Sequence, residues 1–283
     1  MVGLAAVLLP SVGLALGQSS AIRHPVAPPS LVWSDEFNGP AQSQPDPANW
    51  NYDTGNSGFG NQELETYCSW GSNAAPCSAA APSAYVGGDG YLHIVARAVG
   101  GKGVYTSARL KTQGLKSFKY GRIEARIQIP EGQGIWPAFW MLGDDISTVH
   151  WPACGEIDIM ENIGKEPSIN HGSLHMAGGD LTAKYALPAG GKLGSGFHIY
   201  GILWEPGKIQ FYLDTPANTY ATFAPADLSA TAHWPFDSGK FFVILNVAVG
   251  GNWPGSPDLS STFPQEMLVD YVRVYRESGS VSK

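Results

Sequence analysis

Between Leu31 and Tyr275 the chain switches repeatedly between short β-branched or aromatic runs and clusters of glycine and proline. No window sustains a long, well-capped helical period. The runs Tyr91–Arg97, Tyr120–Ile129, Ser173–Met176, His198–Trp204, Ile209–Leu213, Phe241–Val249 and Tyr271–Tyr275 favour strands by residue type. Turn signals such as Gly87-Gly88-Asp89-Gly90, Pro130-Glu131-Gly132 and Pro206-Gly207 divide them. The stretch HIYGILWEPGKIQFYLD reads as a hairpin, two apolar runs joined by Glu205-Pro206-Gly207-Lys208. Many strands without alternating helices exclude a βαβ architecture and predict an all-β sandwich or barrel. The composition agrees, with 35 glycines, 21 prolines and only 14% charged residues. At 283 residues, one large β domain can bury a full core.

A formal net charge of −7 without a Lys/Arg cluster argues against nucleic acid as partner. It argues, less strongly, against a sulfated polysaccharide. No stretch matches the roughly 20 apolar residues of a membrane-spanning helix. Residues 1–17 read as a signal peptide: an apolar stretch from Val2 to Leu16, then small Ala15 and Gly17 before Gln18. Its n-region carries no Lys or Arg. Residues 18–30 read as a linker, 31–277 as one domain and 278–283 as a frayed tail, which predicts a secreted or periplasmic monomer. Cys68 and Cys77 close a short turn-rich loop and are expected to form a disulfide, in keeping with export. Cys154 is left over, either a thiol near a cleft or a small apolar filler.

The segment Gly155-Glu-Ile-Asp-Ile-Met-Glu-Asn162 carries the chemistry. In a strand, Glu156 and Asp158 share one face while Ile157 and Ile159 enter the core. Glu161 has the wrong parity. A β-bulge around Ile159–Met160 would return it to the face of the other two. Carboxylates held close together raise one another's proton affinity, and one ionised plus one protonated carboxyl is the equipment for cleaving a glycosidic bond. A calcium site or a solvated acidic strand would also use three carboxylates within six residues. Aromatics favour sugar. Trp136, Ala138 and Trp140 fall on one strand face, Phe139 and Met141 on the other, and flat indoles suit the apolar faces of pyranose rings. In Val243–Gly251, Val243, Leu245, Val247 and Val249 form a core face, whereas Asn246, Ala248 and Gly250 leave room for a ligand.

These stretches, together with WSDEFNG (33–39), GNQELETY (60–67), TSARLKT (106–112), YGRIEARIQIPEGQGIWPAFWMLG (120–143), LNVAVGGNWPG (245–255) and DYVRVY (270–275), closely resemble glycoside hydrolase family 16. The likeness is to its laminarinase-like endo-β-1,3-glucanases and covers about Leu31 to Tyr275. The resemblance implies a jelly-roll of two antiparallel sheets with a concave substrate cleft. It implies a retaining mechanism with Glu156 as nucleophile, Glu161 as general acid/base and Asp158 tuning the pair, with no catalytic cofactor. Groove residues implied by position are Asn61, Arg109, Trp136, Trp140, His175 and Trp253. Arg109 would hold a sugar hydroxyl or support a carboxylate; a surface ion pair is the plainer alternative. A structural calcium is implied at Glu36 and Gly90 through backbone oxygens and at Asp270 through its carboxylate.

The residue between Asp158 and Glu161 that lichenase-like relatives lack fits several branches of the family, so the polymer stays open. The resemblance implies as substrate a β-1,3 or mixed β-1,3/1,4-glucan, or another β-linked polysaccharide cleaved or transferred by the same chemistry. A non-catalytic glucan-binding protein is disfavoured by the presence of both glutamates. Retaining carboxyl pairs sit ~5–5.5 Å apart, yet four strand steps separate two backbones by roughly 13 Å. The two side chains must therefore lean together over Asp158, or the sheet must curve.

Overall fold

The computed structural model describes residues 28–101, 103–188 and 190–276, with residues 1 and 3. Most of the leader, part of the linker and the whole proposed tail lie outside the described residues. Strands are numbered β1–β17 in chain order. One sheet runs β15 (Thr219–Phe223), β14 (Lys208–Leu213), β13 (His198–Glu205), β8 (Gly121–Gln128), β17 (Gln265–Arg276), β5 (Leu92–Ala98), β6 (Tyr105–Ser107), β3 (Glu65–Tyr67). In addition β1 (Ser30–Asp35) pairs with β17 and β4 (Ala84–Val86) with β5. The second sheet runs β12 (Gly179–Ala186), β11 (Ile169–Met176), β10 (Glu156–Glu161), β9 (Ile135–Gly143), β16 (Phe241–Val249), β7 (Arg109–Lys111), β2 (Asn51–Asp53). Neighbours are antiparallel except the short β3–β6 pair. The sole α-helix among the described residues is four residues long, and none is long and apolar enough to cross a membrane.

The core lies between the sheets and follows the two-residue period of each strand. Ile123, Ala125 and Ile127 of β8 and Tyr200, Ile202 and Trp204 of β13 face Phe139, Met141, Ile157, Leu174, Val243, Leu245, Val247 and Val249 from the second sheet. Burial of one such large side chain contributes about 1.5–3 kcal/mol. The β13–β14 hairpin forms as its sequence predicts. Glu205 pairs with Lys208, and Gly207 turns the chain at φ +68°, where a side chain is strained. The opposite face of β9 and β16 is a different surface. There Leu142, Phe242 and Ile244 close over Cys154, with Trp140 and Ile146 packed against them. Cys154 is 3% exposed, which makes it an apolar filler beneath the groove rather than a thiol within it.

Candidate active site

The second sheet presents its outer face as a groove of about 700 Å³ that crosses β7, β16, β9, β10, β11 and β12. Strand register arranges the groove side chains in rows perpendicular to the strands. Phe242, Leu142, Glu156, His175 and Asp180 make the first row; Ile244, Trp140, Asp158, Ser173 and Thr182 the second; Asn246, Ala138, Glu161, His171 and Lys184 the third. From the second row to the third, β9 and β11 each advance two residues, whereas β10 advances three. The register shift falls between Asp158 and Met160 against β9, so Ile159 is the inserted residue. Ile159 and Met160 are consequently both buried, at 1% and 0% exposed, and Glu161 returns to the groove. The sequence-predicted bulge is present, and all three carboxylates line the same groove.

Entry to β10 is set by Gly155 at φ +80°, where a Cβ would meet Pro235 at 2.7 Å and Phe241 at 3.0 Å. Only glycine lets the chain turn into the strand this close to the core.

Each glutamate has one indole donor. Trp136 Nε1 donates to Glu161 Oε1 at 3.0 Å, and Trp151 Nε1 donates to Glu156 Oε2 at 3.0 Å. Asp158, 2% exposed, lies between them, with its Oδ2 3.0 Å from His175 Nε2. Burial, and then the charge of Asp158, raises Glu156 to about 8. Burial also raises Asp158, to about 7. Glu161 is pushed well above the usual carboxylate range by burial and then by both other carboxylates, against the indole of Trp136. At neutral pH the triplet therefore retains protons.

The other sequence-predicted groove residues converge on the same trough. Trp140 donates Nε1 to Asn246 Oδ1 at 2.8 Å, and the Arg109 guanidinium lies over its ring at 4.7 Å. Arg109 Nε is 3.0 Å from Asp53 Oδ2, so this arginine is ion-paired at the groove's end and acts on Glu156 only through its field. Trp253 stands edge-on to Trp136, centroids 5.4 Å apart, and edge-on to His171 at 4.8 Å. Asn61 Nδ2 donates to Glu63 Oε1 at 3.3 Å. Trp151, Asp180 and Glu63 are groove residues absent from the sequence reading. Trp151 sits in a turn-rich loop where strand parity says nothing, whereas Glu63 belongs to the family-like GNQELETY stretch and was legible there.

The positions implied for calcium lie away from this groove. Asp270 Oδ2 accepts from Arg126 Nη1 at 2.5 Å, and Glu36 accepts from Arg273 at 2.9 and 2.7 Å. Of the implied ligands only Asp270 would act through its carboxylate, and that group is paired with a guanidinium. A calcium ion there would share Asp270 with Arg126. Cys68 and Cys77 form the expected disulfide.

An antiparallel sandwich whose groove sets three proton-retaining carboxylates among indoles defines a carbohydrate-cleaving enzyme of the paired-carboxylate class. Residues 67–273 match the model of glycosyl hydrolases family 16, and the chain belongs to that family. It is a glycosidase, and glycosidases of this family need no catalytic cofactor. It is 41% identical to a beta-glucanase of Rhodothermus marinus, over 87% of this chain and 85% of the relative. Identity to glucan endo-1,3-beta-glucosidase A1 of Niallia circulans is 36%, over 89% of this chain but 38% of that longer protein. The catalytic domain of an endo-1,3-beta-glucanase (laminarinase) from Thermotoga petrophila superposes with a TM-score of 0.78 at 40% identity, covering 89% and 99% of the two chains.

Proposed function

We propose that the protein cleaves internal β-1,3 bonds of glucans, alone or in mixed β-1,3/1,4 chains, with retention of configuration. The reading rests on one observation: the bulge at Ile159 brings Glu161 onto the groove face that carries Glu156 and Asp158. Glu161, held well above the usual carboxylate range by burial and then by the other two carboxylates, keeps a proton and is the general acid that protonates the leaving oxygen. Glu156 attacks the anomeric carbon, with Trp151 fixing one of its oxygens so that the other faces the sugar. Once the glycosyl-enzyme has formed, Glu161 is an anion supported by the N–H of Trp136, and it deprotonates the incoming water. Relatives named for β-1,3-glucan support the choice of polymer. A trough crossing six strands supports cleavage within chains rather than at their ends.

The test combines product analysis on laminarin and lichenan with chemical rescue. Azide should restore turnover to Glu156→Ala with an inverted glycosyl azide as product, and to Glu161→Ala with a retained one. Rescue products of the opposite configuration would reverse the two roles, and undiminished laminarin hydrolysis in both variants would remove them. Export accompanies this reading. The leader-like residues 1–17 and the Cys68–Cys77 disulfide support a secreted or periplasmic monomer. Recovery of the unprocessed chain from the cytosol alone, or of a stable dimer by light scattering, would oppose it.

A further inference from the structure

His175 brings a ring nitrogen to the edge of the carboxylate triplet, and no step of the proposed reaction uses it. Asp158 Oδ2 is buried and has no hydrogen-bond partner. His175 Nε2 lies 3.0 Å from that oxygen without making a hydrogen bond to it. An orphaned carboxylate oxygen this deep in a protein is costly and calls for an explanation. One ligand atom each from Glu156, Asp158 and His175 lies within 4.8 Å of the other two. Among the described residues no other three histidine, cysteine or acidic side chains converge so closely. His93, also held between two acids, turns its two nitrogens to separate carboxylates, Glu266 and Asp89, so that cluster has no shared focus. The groove gives solvent access to the focus at His175, whose side chain is 26% exposed.

We infer that Glu156, Asp158 and His175 form an inhibitory binding site for a divalent transition-metal ion such as zinc. Zinc takes imidazole nitrogen and carboxylate oxygen at about 2.0–2.2 Å, which sets neighbouring donors roughly 3 Å apart. Asp158 and His175 already have that separation. Glu156 closes onto the same ion by a side-chain adjustment. The ion supplies the partner that Asp158 Oδ2 lacks and displaces the proton that Glu156 shares with Asp158. The surroundings suit it. With a metal on Nε2 the ring's hydrogen is on Nδ1, where Asp180 Oδ1 accepts it at 2.9 Å. A carboxylate behind a ligating histidine is the usual outer support of such sites. Hard cations do not match the donors, since calcium asks for about six to eight oxygens and magnesium for an octahedron of them. The inhibitory part rests on the assignment of Glu156 as nucleophile. A carboxylate bound to the ion cannot attack a sugar, so metal and glucan compete for the groove.

The experiment titrates the metal-stripped enzyme with zinc chloride by calorimetry. One zinc ion per chain should bind at this site, and calcium chloride at the same concentrations should not displace it. Asp180→Ala removes the outer support but no ligand and should weaken zinc binding about 10- to 100-fold. His175→Ala removes a ligand and should weaken it further. Nitrogen-15 NMR of the parent should show zinc moving the His175 Nε2 resonance, a readout that needs no variant. In laminarin assays zinc should raise the apparent KM and leave kcat unchanged, and EDTA should restore the original rate. Zinc affinity unaltered in His175→Ala, a His175 resonance that zinc leaves in place, or displacement by calcium would overturn the site. Binding at His175 without inhibition would overturn the inhibitory role and, with it, Glu156 as nucleophile. A metal-free parent inactive on laminarin would instead overturn the assigned reaction, while calorimetry and NMR still decide the site.

Discussion

Beside the groove lies a second group of neighbouring acids, and it behaves unlike the first. Glu63 and Glu65 flank Leu64 at the start of β3, are 8% and 0% exposed, and Glu65 is raised well above the carboxylate range by burial and then by Glu63. By proton affinity alone Glu65 would look as catalytic as Glu156 and Glu161. Their oxygens tell otherwise. Glu65 Oε2 accepts the backbone N–H of Val249 at 2.6 Å, and Glu63 accepts from Tyr67 Oη at 2.8 Å and from Asn61. Tyr67 in turn accepts from Asn246, whose oxygen holds Trp140. This pair ties a loop to the groove wall. In the catalytic group each glutamate accepts from one indole N–H and lines the groove, with Glu156 also hydrogen-bonded to Asp158. A perturbed carboxyl marks a site only when its free oxygen has somewhere to act.

The sharpest way to break this contrast is amide substitution. Glu156→Gln and Glu161→Gln should each lower kcat for laminarin by about 10³–10⁴ while the fold is kept. Glu63→Gln should stay within about tenfold of the parent. Comparable losses at all three positions would erase the distinction. The donors provide a finer test. Trp136→Phe removes the N–H that supports the Glu161 anion, a charge-assisted bond of about 1.5–3 kcal/mol, so kcat should fall about 10- to 100-fold. The equivalent loss at the structural pair, Tyr67→Phe, should appear mainly as about 1–2 kcal/mol of stability by urea unfolding.

Both groups should weaken the fold in alkali. A carboxyl whose folded pKa is raised binds more protons folded than unfolded, so its burden is absent below the unfolded value and complete above the folded one. For Glu156 that window runs from about 4.5 to about 8. Glu156→Gln should therefore raise Tm at pH 9 by several degrees and leave it unchanged at pH 4. Glu65→Gln should do the same without loss of activity, because the amide oxygen still accepts from Val249. A parallel loss of activity there would join the two groups again. The smallest effect belongs to Cys154. Burial pushes its thiol up to about 11, so it should resist iodoacetamide at pH 7.5, and Cys154→Ala should keep full activity.

Much of this was legible in the residues. The two-residue period of β9, β10 and β16 separated core from groove, and the parity of Glu161 required a bulge that the register contains. The hairpin at Pro206-Gly207 followed from turn chemistry. Contacts between distant segments were not legible. Nothing local to Trp151 says that its indole reaches Glu156, and the Asp180–His175 pairing depends on β12, a strand whose alternating exposed and half-buried residues gave no apolar signal. The acidic partners of Arg126 and Arg273 were likewise invisible.

Inserting Ile159 drives Met160 into the hydrophobic interior directly before the catalytic acid. Catalysis and packing are thereby geared together: the thioether of Met160 sets how the next residue is aimed. A conservative swap there, Met160→Ala for example, would touch no sugar and no ionisable group, yet would loosen the pivot on which the proton donor turns. Selection on this enzyme's chemistry therefore reaches through the sheet to a side chain that never sees solvent.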